Sequence, residues 1–301
     1  MIRALEAGKD VLVEKPATLS KESGGRMLDA ERNARAKSEK SGSQRSARVF
    51  VGYMRRYAHS FTGAFKREVA SIPRIRYARV RDIIGSNDLF VQQSGTFPIN
   101  SRYTDDIPAD TVRESKNLLD NLYAETFPGQ EVTDEKERFW RFIGGTGSHD
   151  LSLMRETLGF PESVSGVSVN HPFYSATFNY RSKESGETFA VTYESGIDNV
   201  PVFDAHLAVY GDDKRVSIQY DTPFVKGLAI KVRVEERNEH GEMVSREILG
   251  SYEDAYTAEW MEVHRCFRGR RDIKTSLDDA VEDLRLFEMM FERRGRDMGE
   301  S

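Results

Sequence analysis

The sequence lacks the features of a secreted, membrane-spanning or nucleic-acid-binding protein. Its 301 residues include one cysteine, Cys266, which cannot form an internal disulfide, so we expect a reducing compartment. No apolar run approaches the roughly 20 residues that span a bilayer, and the opening MIRALEAGKDV lacks the apolar core of a signal peptide. The net charge of -5 comes without a basic block. We therefore expect a cytoplasmic protein with neither a membrane nor a nucleic acid as a partner.

Several sequence motifs of catalysis and cofactor binding are also missing. The chain has no G-x-G-x-x-G dinucleotide loop, no Walker A loop and no G-x-S-x-G serine elbow. The segment Gly145-Thr146-Gly147 is not such a loop, because the third glycine position falls on Asp150. The histidines other than His149 show no metal-ligand spacing with acidic residues or with the cysteine. We therefore predict no metal site.

The composition that is present fits a globular protein whose first part is a parallel α/β layer. Hydrophobic residues make up 38% and charged residues 31%, which is enough for a sizeable core. Two short apolar runs, at 11–13 and 49–51, fit strands that are buried on both faces. Between them, Thr18 or Ser20 can cap a helix that reaches about Lys37. A strand, a helix and a strand at this spacing predict parallel pairing.

The chain from residue 54 to residue 160 fits several helices and one strand. Residues 56–69 and 110–125 fit helices, residues 75–84 fit a strand, and Thr133 can cap another helix. Four residues, Gly144-Gly145-Thr146-Gly147, then predict a turn. A further helix follows this turn and stops at Gly159.

From residue 164 to residue 237 the hydrophobic residues alternate, which predicts half-exposed antiparallel strands. We expect a buried row along one of them that consists of Leu228, Ile230, Val232 and Val234. Two amphipathic helices close the chain, and the last begins at Ser276. The predicted fold class is α/β (α+β), with a parallel layer over 1–53 and a mainly antiparallel open sheet, with helices on one face, over 54–301.

Glu14-Lys15-Pro16 follows the first strand and is the first candidate for chemistry. Ligands of doubly wound sheets bind at the carboxyl ends of the strands. A lysine there can transfer protons if burial and nearby cations lower its pKa toward neutrality. The alternative is a solvated lysine at the end of a strand.

His149 is the second candidate, in the first turn of the helix that follows the glycine-rich segment. Its imidazole could serve as an acid or a base, and the N–H groups of that turn could hold a hydroxyl or an anion. The alternative is a packed histidine beside Ser148 and Asp150, which would cap the helix.

Three segments, read together, resemble the Gfo/Idh/MocA family of NAD(P)-dependent oxidoreductases. GKDVLVEKPATLS resembles the family's Glu-Lys-Pro segment, and GGTGSHDLSLMRETLG resembles its histidine helix. VGYMRRY resembles a strand that ends in Gly-Tyr-Asn-Arg-Arg, with Met54 in place of the asparagine. Many members carry an aspartate four residues before the histidine and an acid three residues after it, where this chain has Gly145 and Ser152. The order and spacing of the three segments fit essentially the whole chain.

The resemblance implies an N-terminal Rossmann domain for NAD or NADP and a C-terminal domain whose open sheet supplies the substrate pocket and commonly an oligomer interface. It maps Lys15 to the lysine that contacts substrate and cofactor, and His149 to the histidine that handles the reacting hydroxyl. The candidate cofactor-binding residues are Glu14, Lys15 and Pro16, and the candidate substrate-binding residues are Arg55 and Asp150. The implied reaction moves a hydride between NAD(P) and a sugar- or cyclitol-like polyol.

The resemblance also implies that residues 1–53 are only a remnant of the Rossmann domain. In the family, the glycine-rich turn, the acidic residue for the ribose and several strands precede the Glu-Lys-Pro segment. We therefore expect this chain to bind NAD(P) weakly and to be impaired as an enzyme. The alternative is a non-catalytic binding or assembly protein that retains the C-terminal sheet, with a homo-oligomer formed through that sheet.

Overall fold

The computed structural model describes residues 1–42, 46–95, 108–183, 185–269 and 271–297. The α-helices in these ranges are Ile2–Glu6 (α1), Lys21–Lys40 (α2), Lys66–Ala70 (α3), Asn87–Gln93 (α4), Ala109–Thr126 (α5), Asp134–Phe142 (α6), Ser148–Leu158 (α7), Ala255–Gly269 (α8) and Leu277–Asp297 (α9). The strands are Val11–Glu14 (β1), Val49–Gly52 (β2), Tyr77–Gly85 (β3), Ser163–Asn170 (β4), Phe173–Arg181 (β5), Thr188–Asp198 (β6), Phe203–Tyr210 (β7), Lys214–Tyr220 (β8), Lys231–Arg237 (β9) and Met243–Leu249 (β10). A 3-10 helix covers Met54–Tyr57, and π-helical turns cover Phe61–Phe65 and Ile143–Gly147.

The first layer has the predicted strand, helix and strand. β1 and β2 pair in parallel, with Val11 opposite Val49. The Ser20 side chain caps α2 by accepting a hydrogen bond from the Ser23 N–H at 3.2 Å. The helix continues to Lys40, beyond the predicted end. Because β1 and β2 are parallel, both end at the same edge of this small sheet, where the Glu-Lys-Pro corner begins.

The second layer is one sheet with the order β10-β9-β8-β7-β3-β6-β5-β4. Every pairing in it is antiparallel except β3 with β6, which confirms the predicted mainly antiparallel sheet. Helices α3, α5, α6, α7 and α9 pack on one face of this sheet and form the main core with it. Alternation predicts such strands well, because side chains of one face recur at every second residue.

The predicted buried row of the ninth strand is only half right. Val232 and Val234 are fully buried, but Leu228 is 41% exposed and Ile230 is only partly buried. The strand begins at Lys231, because the preceding segment turns at Gly227, whose φ of 87° belongs to the left-handed region. Leu228 therefore lies on the wall of a cavity and not in the sheet.

The predicted glycine-rich turn is wrong. The backbone stays right-handed helical through the segment, so α6, the π-helical turn and α7 form one continuous helical run. Two of its glycines allow close packing instead: a Cβ at Gly144 would overlap the Leu19 side chain, and one at Gly147 would lie 2.7 Å from the Tyr193 hydroxyl. Consecutive glycines predict a break from local propensity alone, and tertiary packing overrides that propensity here.

The last two helices join the two layers. Leu277 and Ala280 of α9 pack into one cluster with Leu5 and Val49, and Val263 of α8 packs into another with Phe50. The division into 1–53 and 54–301 stays a prediction, since residues from the end of the chain complete the core of its beginning. No described helix has the length and apolar character that crossing a membrane requires.

Candidate active site

A cavity of about 340 Å³ lies where the Glu-Lys-Pro corner, the α6–α7 helical run and the helix-bearing face of the large sheet meet. One wall is polar and includes Lys15, Arg55, Asp82 and His149. The apolar part of the lining includes Phe203, Phe224, Leu228 and Tyr256. Lys15 and His149 thus line the same cavity, as the landmark segments predict, although they are far apart in the sequence.

Lys15 is held against the helical run. Its peptide bond to Pro16 is cis, and its Nζ donates a hydrogen bond to the Gly145 carbonyl in the π-helical turn. The Ser148 hydroxyl donates to the same carbonyl at 3.3 Å. Burial, and next the charge of Arg55, lowers the pKa of the Lys15 ammonium to about 8. The amine and ammonium forms therefore both occur near neutral pH.

His149 presents a neutral imidazole. Burial, and next the positive charge of Lys15, lowers the pKa of this histidine well below its usual value. Its Nδ1 is buried without a hydrogen-bond partner among the described residues. The expectation that first-turn N–H groups would hold an anion here is wrong, because the continuous helical run leaves no free helix start at His149.

Arg55 is buried and holds two carboxyl groups with a single nitrogen. Its Nη1 lies 2.5 Å from Asp150 Oδ1 and 3.2 Å from Asp82 Oδ2. The guanidinium also lies over the rings of Phe203 and Tyr220, with its Cζ at 5.7 Å and 5.4 Å from their centroids. These contacts fix its position at the polar wall.

Asp150, predicted to bind substrate, lies behind Arg55 and is 1% exposed. It accepts a hydrogen bond from Arg55, and it is not among the residues that line the cavity. Its effect on a ligand therefore runs through Arg55. Direct substrate binding by Asp150 stays a prediction, as does the same role for Arg55, which does line the cavity.

Asp82 is the site residue that the sequence reading missed. It lies on β3 in the core-facing row Ala78, Val80, Asp82 and Ile84, and it is fully buried. A charged residue at a core-facing position of an alternating strand was the available signal, since real proteins break such local rules mostly at functional sites. Its approach to Arg55 depends on tertiary packing that no local pattern shows.

The Glu-Lys-Pro corner, predicted to hold part of the cofactor, has a position that is typical of a ligand site. It lies at the carboxyl end of a parallel strand, beside the cavity, where doubly wound sheets bind ligands. Pro16 packs near Gly144, where a Cβ would lie 3.6 Å from its Cγ. The exposed Glu14 covers Gly52, where a Cβ would lie 3.2 Å from the carboxylate. Among the described residues, no group of three or more His, Cys, Asp or Glu is arranged to hold a metal.

The two sheets and their helices define the fold class. The small parallel sheet, the large mixed sheet and its helices match the fold of the C-terminal domain of the Gfo/Idh/MocA enzymes. No protein-family model matches the chain, and no curated protein matches it.

Solved structures of sugar-converting oxidoreductases share this fold. Levoglucosan dehydrogenase in complex with NADH and levoglucosan matches with a TM-score of 0.64 and 13% identity over 100% of this chain and 74% of its own. A 3-ketoreductase from Actinomadura kijaniata, in complex with NADP and TDP-benzene, matches with 0.60 and 15% over 97% and 73%. Aldose-aldose oxidoreductase from Caulobacter crescentus, complexed with glycerol, matches with 0.55 and 16% over 98% and 73%. At these identities the likeness shows the fold alone.

Proposed function

We propose that this protein is an NAD(P)-dependent oxidoreductase that acts on a sugar or a cyclitol-like polyol. The observation that carries the proposal is the pairing of a lysine with a pKa of about 8 and a neutral histidine on one wall of a cavity. Perturbed titratable groups that share a concave site are typical of catalytic residues. The structural neighbours, which include a levoglucosan dehydrogenase and an aldose-aldose oxidoreductase, support the substrate class.

Lys15 and His149 handle the proton of the reacting hydroxyl. When bound, the nicotinamide would accept a hydride from the carbinol carbon or supply one to the corresponding carbonyl carbon. Lys15 takes up the hydroxyl proton as its amine or returns it as its ammonium, because its pKa of about 8 leaves both forms populated. The neutral imidazole of His149 hydrogen-bonds the same hydroxyl and holds it toward Lys15. Glu14, Lys15 and Pro16 would hold the nicotinamide end of the cofactor.

The test is turnover of a panel of free sugars, cyclitols and glycosides with NAD⁺ and NADP⁺, followed by the absorbance of the reduced cofactor. We expect the Lys15→Met and His149→Asn variants to lose about 10²–10⁴-fold in kcat/KM. The exposed residue Lys9 gives the control variant Lys9→Met, which should keep the wild-type rate. Equal rates for all four proteins would overturn the site assignment.

Two expectations from the sequence are tested in the same preparation. Weak binding of NAD(P) stays a prediction, and a fluorescence titration with NADH and NADPH measures it. A protein that binds polyols by calorimetry but turns over none of the panel with either cofactor would favour the non-catalytic alternative. Assembly through the open face of the large sheet stays a proposal that sedimentation tests.

A further inference from the structure

The two carboxyl groups on Arg55 each keep one buried oxygen that has no hydrogen-bond partner among the described residues. Asp82 Oδ2 and Asp150 Oδ1 both accept hydrogen bonds from Arg55 Nη1. Their other oxygens, Asp82 Oδ1 and Asp150 Oδ2, are buried and have no hydrogen-bond partner in the part of the chain that the structure describes. A buried carboxylate oxygen without a donor is strongly unfavourable. One nitrogen that contacts both groups also brings the two carboxyls close together.

We infer that Asp82 and Asp150 form a carboxyl pair that holds one proton, shared between Asp82 Oδ1 and Asp150 Oδ2, at neutral pH. A single shared proton gives both unpartnered oxygens a hydrogen bond at once. It also removes one of two like charges that repel each other and that a single cation cannot balance. Arg55 then neutralises the remaining negative charge.

The groups that face the pair agree with this charge count. Tyr193 of β6 and Tyr220 of β8 are neutral phenols, because burial raises the pKa of both far above its usual value. His149 is neutral, and Lys15 titrates near pH 8. Burial likewise raises the pKa of Asp150 well above its usual value. Within the described part of the chain, Arg55 is thus the permanent cation that acts on Asp150, and it balances one carboxylate.

The shared proton sets the charge that Lys15 experiences. The charges of Asp150 and Asp82 favour the ammonium form of Lys15, while burial and Arg55 disfavour it. With one proton in the pair, the carboxyls and Arg55 together carry no net charge. The pKa of Lys15 then stays close to neutral pH. Two ionised carboxylates would instead hold Lys15 in its charged form. The proton in the pair therefore helps to set the protonation state of Lys15. This consequence for catalysis rests on the proposed function, but the existence of the pair does not.

The pair is tested by carbon NMR of protein labelled at the aspartate carboxyl carbon, because ionised and protonated carboxyls differ in chemical shift. We expect a protonated aspartate resonance at pH 7 that disappears in both Asp82→Asn and Asp150→Asn, since either remaining carboxylate is then balanced by Arg55 alone. Asp283→Asn is the control, because Asp283 is another buried aspartate whose pKa burial raises. It should remove only its own resonance.

Two outcomes would overturn the pair. The first is a wild-type spectrum at pH 7 that shows no protonated aspartate resonance, or only the one that Asp283→Asn removes. Such a spectrum excludes a shared proton, even if the other variants fail to fold. Loss of the resonance in only one of the two variants means an isolated protonated aspartate.

Lysine labelled at Cε gives a second readout, with Lys15 assigned through Lys15→Met. The titration midpoint of Lys15 should stay in place in each single variant, because one negative charge remains, and should fall in the Asp82→Asn/Asp150→Asn double variant. A fall of the Lys15 midpoint in either single variant would also overturn the pair, because it would show that the wild type carries two ionised carboxylates. Neither measurement needs turnover, so a failure of the proposed function would leave both results readable.

Discussion

Burial of Lys15 destabilises the fold near neutral pH, where the proposed proton transfer takes place. In the unfolded chain its pKa is the ordinary 10.5, and in the folded protein it is about 8. A lowered lysine pKa leaves stability intact above pH 10.5 and removes it as the pH falls toward 8, below which the loss is complete. The hydrogen bond to the Gly145 carbonyl offsets only part of this loss.

We therefore expect Lys15→Met to lower kcat/KM by about 10²–10⁴-fold and yet to raise the free energy of unfolding at pH 7 by about 2 kcal/mol. Urea unfolding at pH 7 and at pH 10 measures the change, and the gain should shrink at the higher pH. The exposed Lys9 supplies the matched Lys9→Met variant, which should match the wild type at both values. A Lys15→Met protein less stable than the wild type at pH 7 would mean that the ammonium is well solvated in the fold.

At the scale of single residues, the sequence predicts the site residues that lie in local motifs. It does not predict the site residues that only the tertiary structure brings together. Lys15 and His149 stand in recognisable segments, so their presence at one cavity could be predicted. Asp82 meets Arg55 only because β3 lies at the centre of the large sheet and turns this residue toward the helices. Tyr220 reaches the Arg55 guanidinium from a different strand, and no spacing in the sequence indicates that contact.

Among the elements, the helical run from α6 to α7 shows why two adjacent glycines behave differently. At Gly144 a Cβ would overlap Leu19 and approach Pro16, so the glycine lets the Glu-Lys-Pro corner pack on the helix. At Gly145 a Cβ would meet nothing within 4 Å. The π-helical turn places the Gly145 carbonyl where Lys15 binds it, and such turns occur often at functional sites.

We expect Gly144→Ala to destabilise the protein by about 1–3 kcal/mol, because the added methyl must push the corner away from the helix. Gly145→Ala is the matched control and should be neutral or stabilising by about 0.5–1 kcal/mol, since alanine loses less entropy in a helix than glycine. Urea unfolding of the two variants side by side measures both. Equal stability of the two variants would show that the corner moves aside freely and is not fixed by the helix.

The strands and helices with a regular hydrophobic period could be predicted from the sequence. The residues where these elements start or join could not. The alternation in β3, β6 and β8 reads directly from the sequence, because it reflects which face meets the core. The start of β9 at Lys231 and the continuity through residues 143–147 depend on neighbours from elsewhere in the chain. The central place of β3, which is parallel to β6 and antiparallel to β7, has no local signature either.

At the scale of the whole molecule, a buried ionic cluster around Glu156 joins the two layers. Arg56 follows β2 and lies 2.5 Å from the Glu156 carboxylate, and Lys66 and Lys274 lie at 2.6 Å and 3.0 Å. Arg56 also pairs with Asp279 of α9. Burial alone would raise the pKa of Glu156, but Arg56, Lys274 and Lys66 outweigh it and lower the pKa to about 2. The stabilisation is therefore complete above the ordinary value of 4.5 and is lost as the pH falls toward 2.

We expect Glu156→Gln to lower the free energy of unfolding by about 3 kcal/mol at pH 7, at about 1.4 kcal/mol per pKa unit, and by progressively less below pH 4.5. Urea unfolding from pH 7 to pH 3 measures the difference. Glu22 forms an exposed pair with Arg26, so Glu22→Gln is the control and should cost less than about 1 kcal/mol at every pH. A constant difference between Glu156→Gln and the wild type across this range would place the effect in packing and not in charge.

The predicted domain boundary at residue 53 can be tested by unfolding. The contacts across it favour unfolding of the described chain as one cooperative unit and not as two. Cys266 is buried against Phe50 of the first layer, and Trp140 is buried in the core of the large sheet. The chain has one cysteine and two tryptophans. The second tryptophan, Trp260, is 61% exposed, so Trp260→Phe leaves a single fluorescent reporter on the large sheet.

In that variant we expect thiol labelling of Cys266 and fluorescence of Trp140 to give the same urea midpoint. The reason is that α8 and α9 supply core residues to the first layer, while the Glu156 cluster ties that layer to α7. Coincidence of two probes is the signature of all-or-none unfolding. Reaction of Cys266 at a lower urea concentration than the one at which the Trp140 fluorescence changes would contradict this expectation. That result would mean that residues 1–53 unfold separately, as the predicted domain boundary implies. Far-UV circular dichroism of the same samples shows which of the two midpoints the bulk of the secondary structure follows.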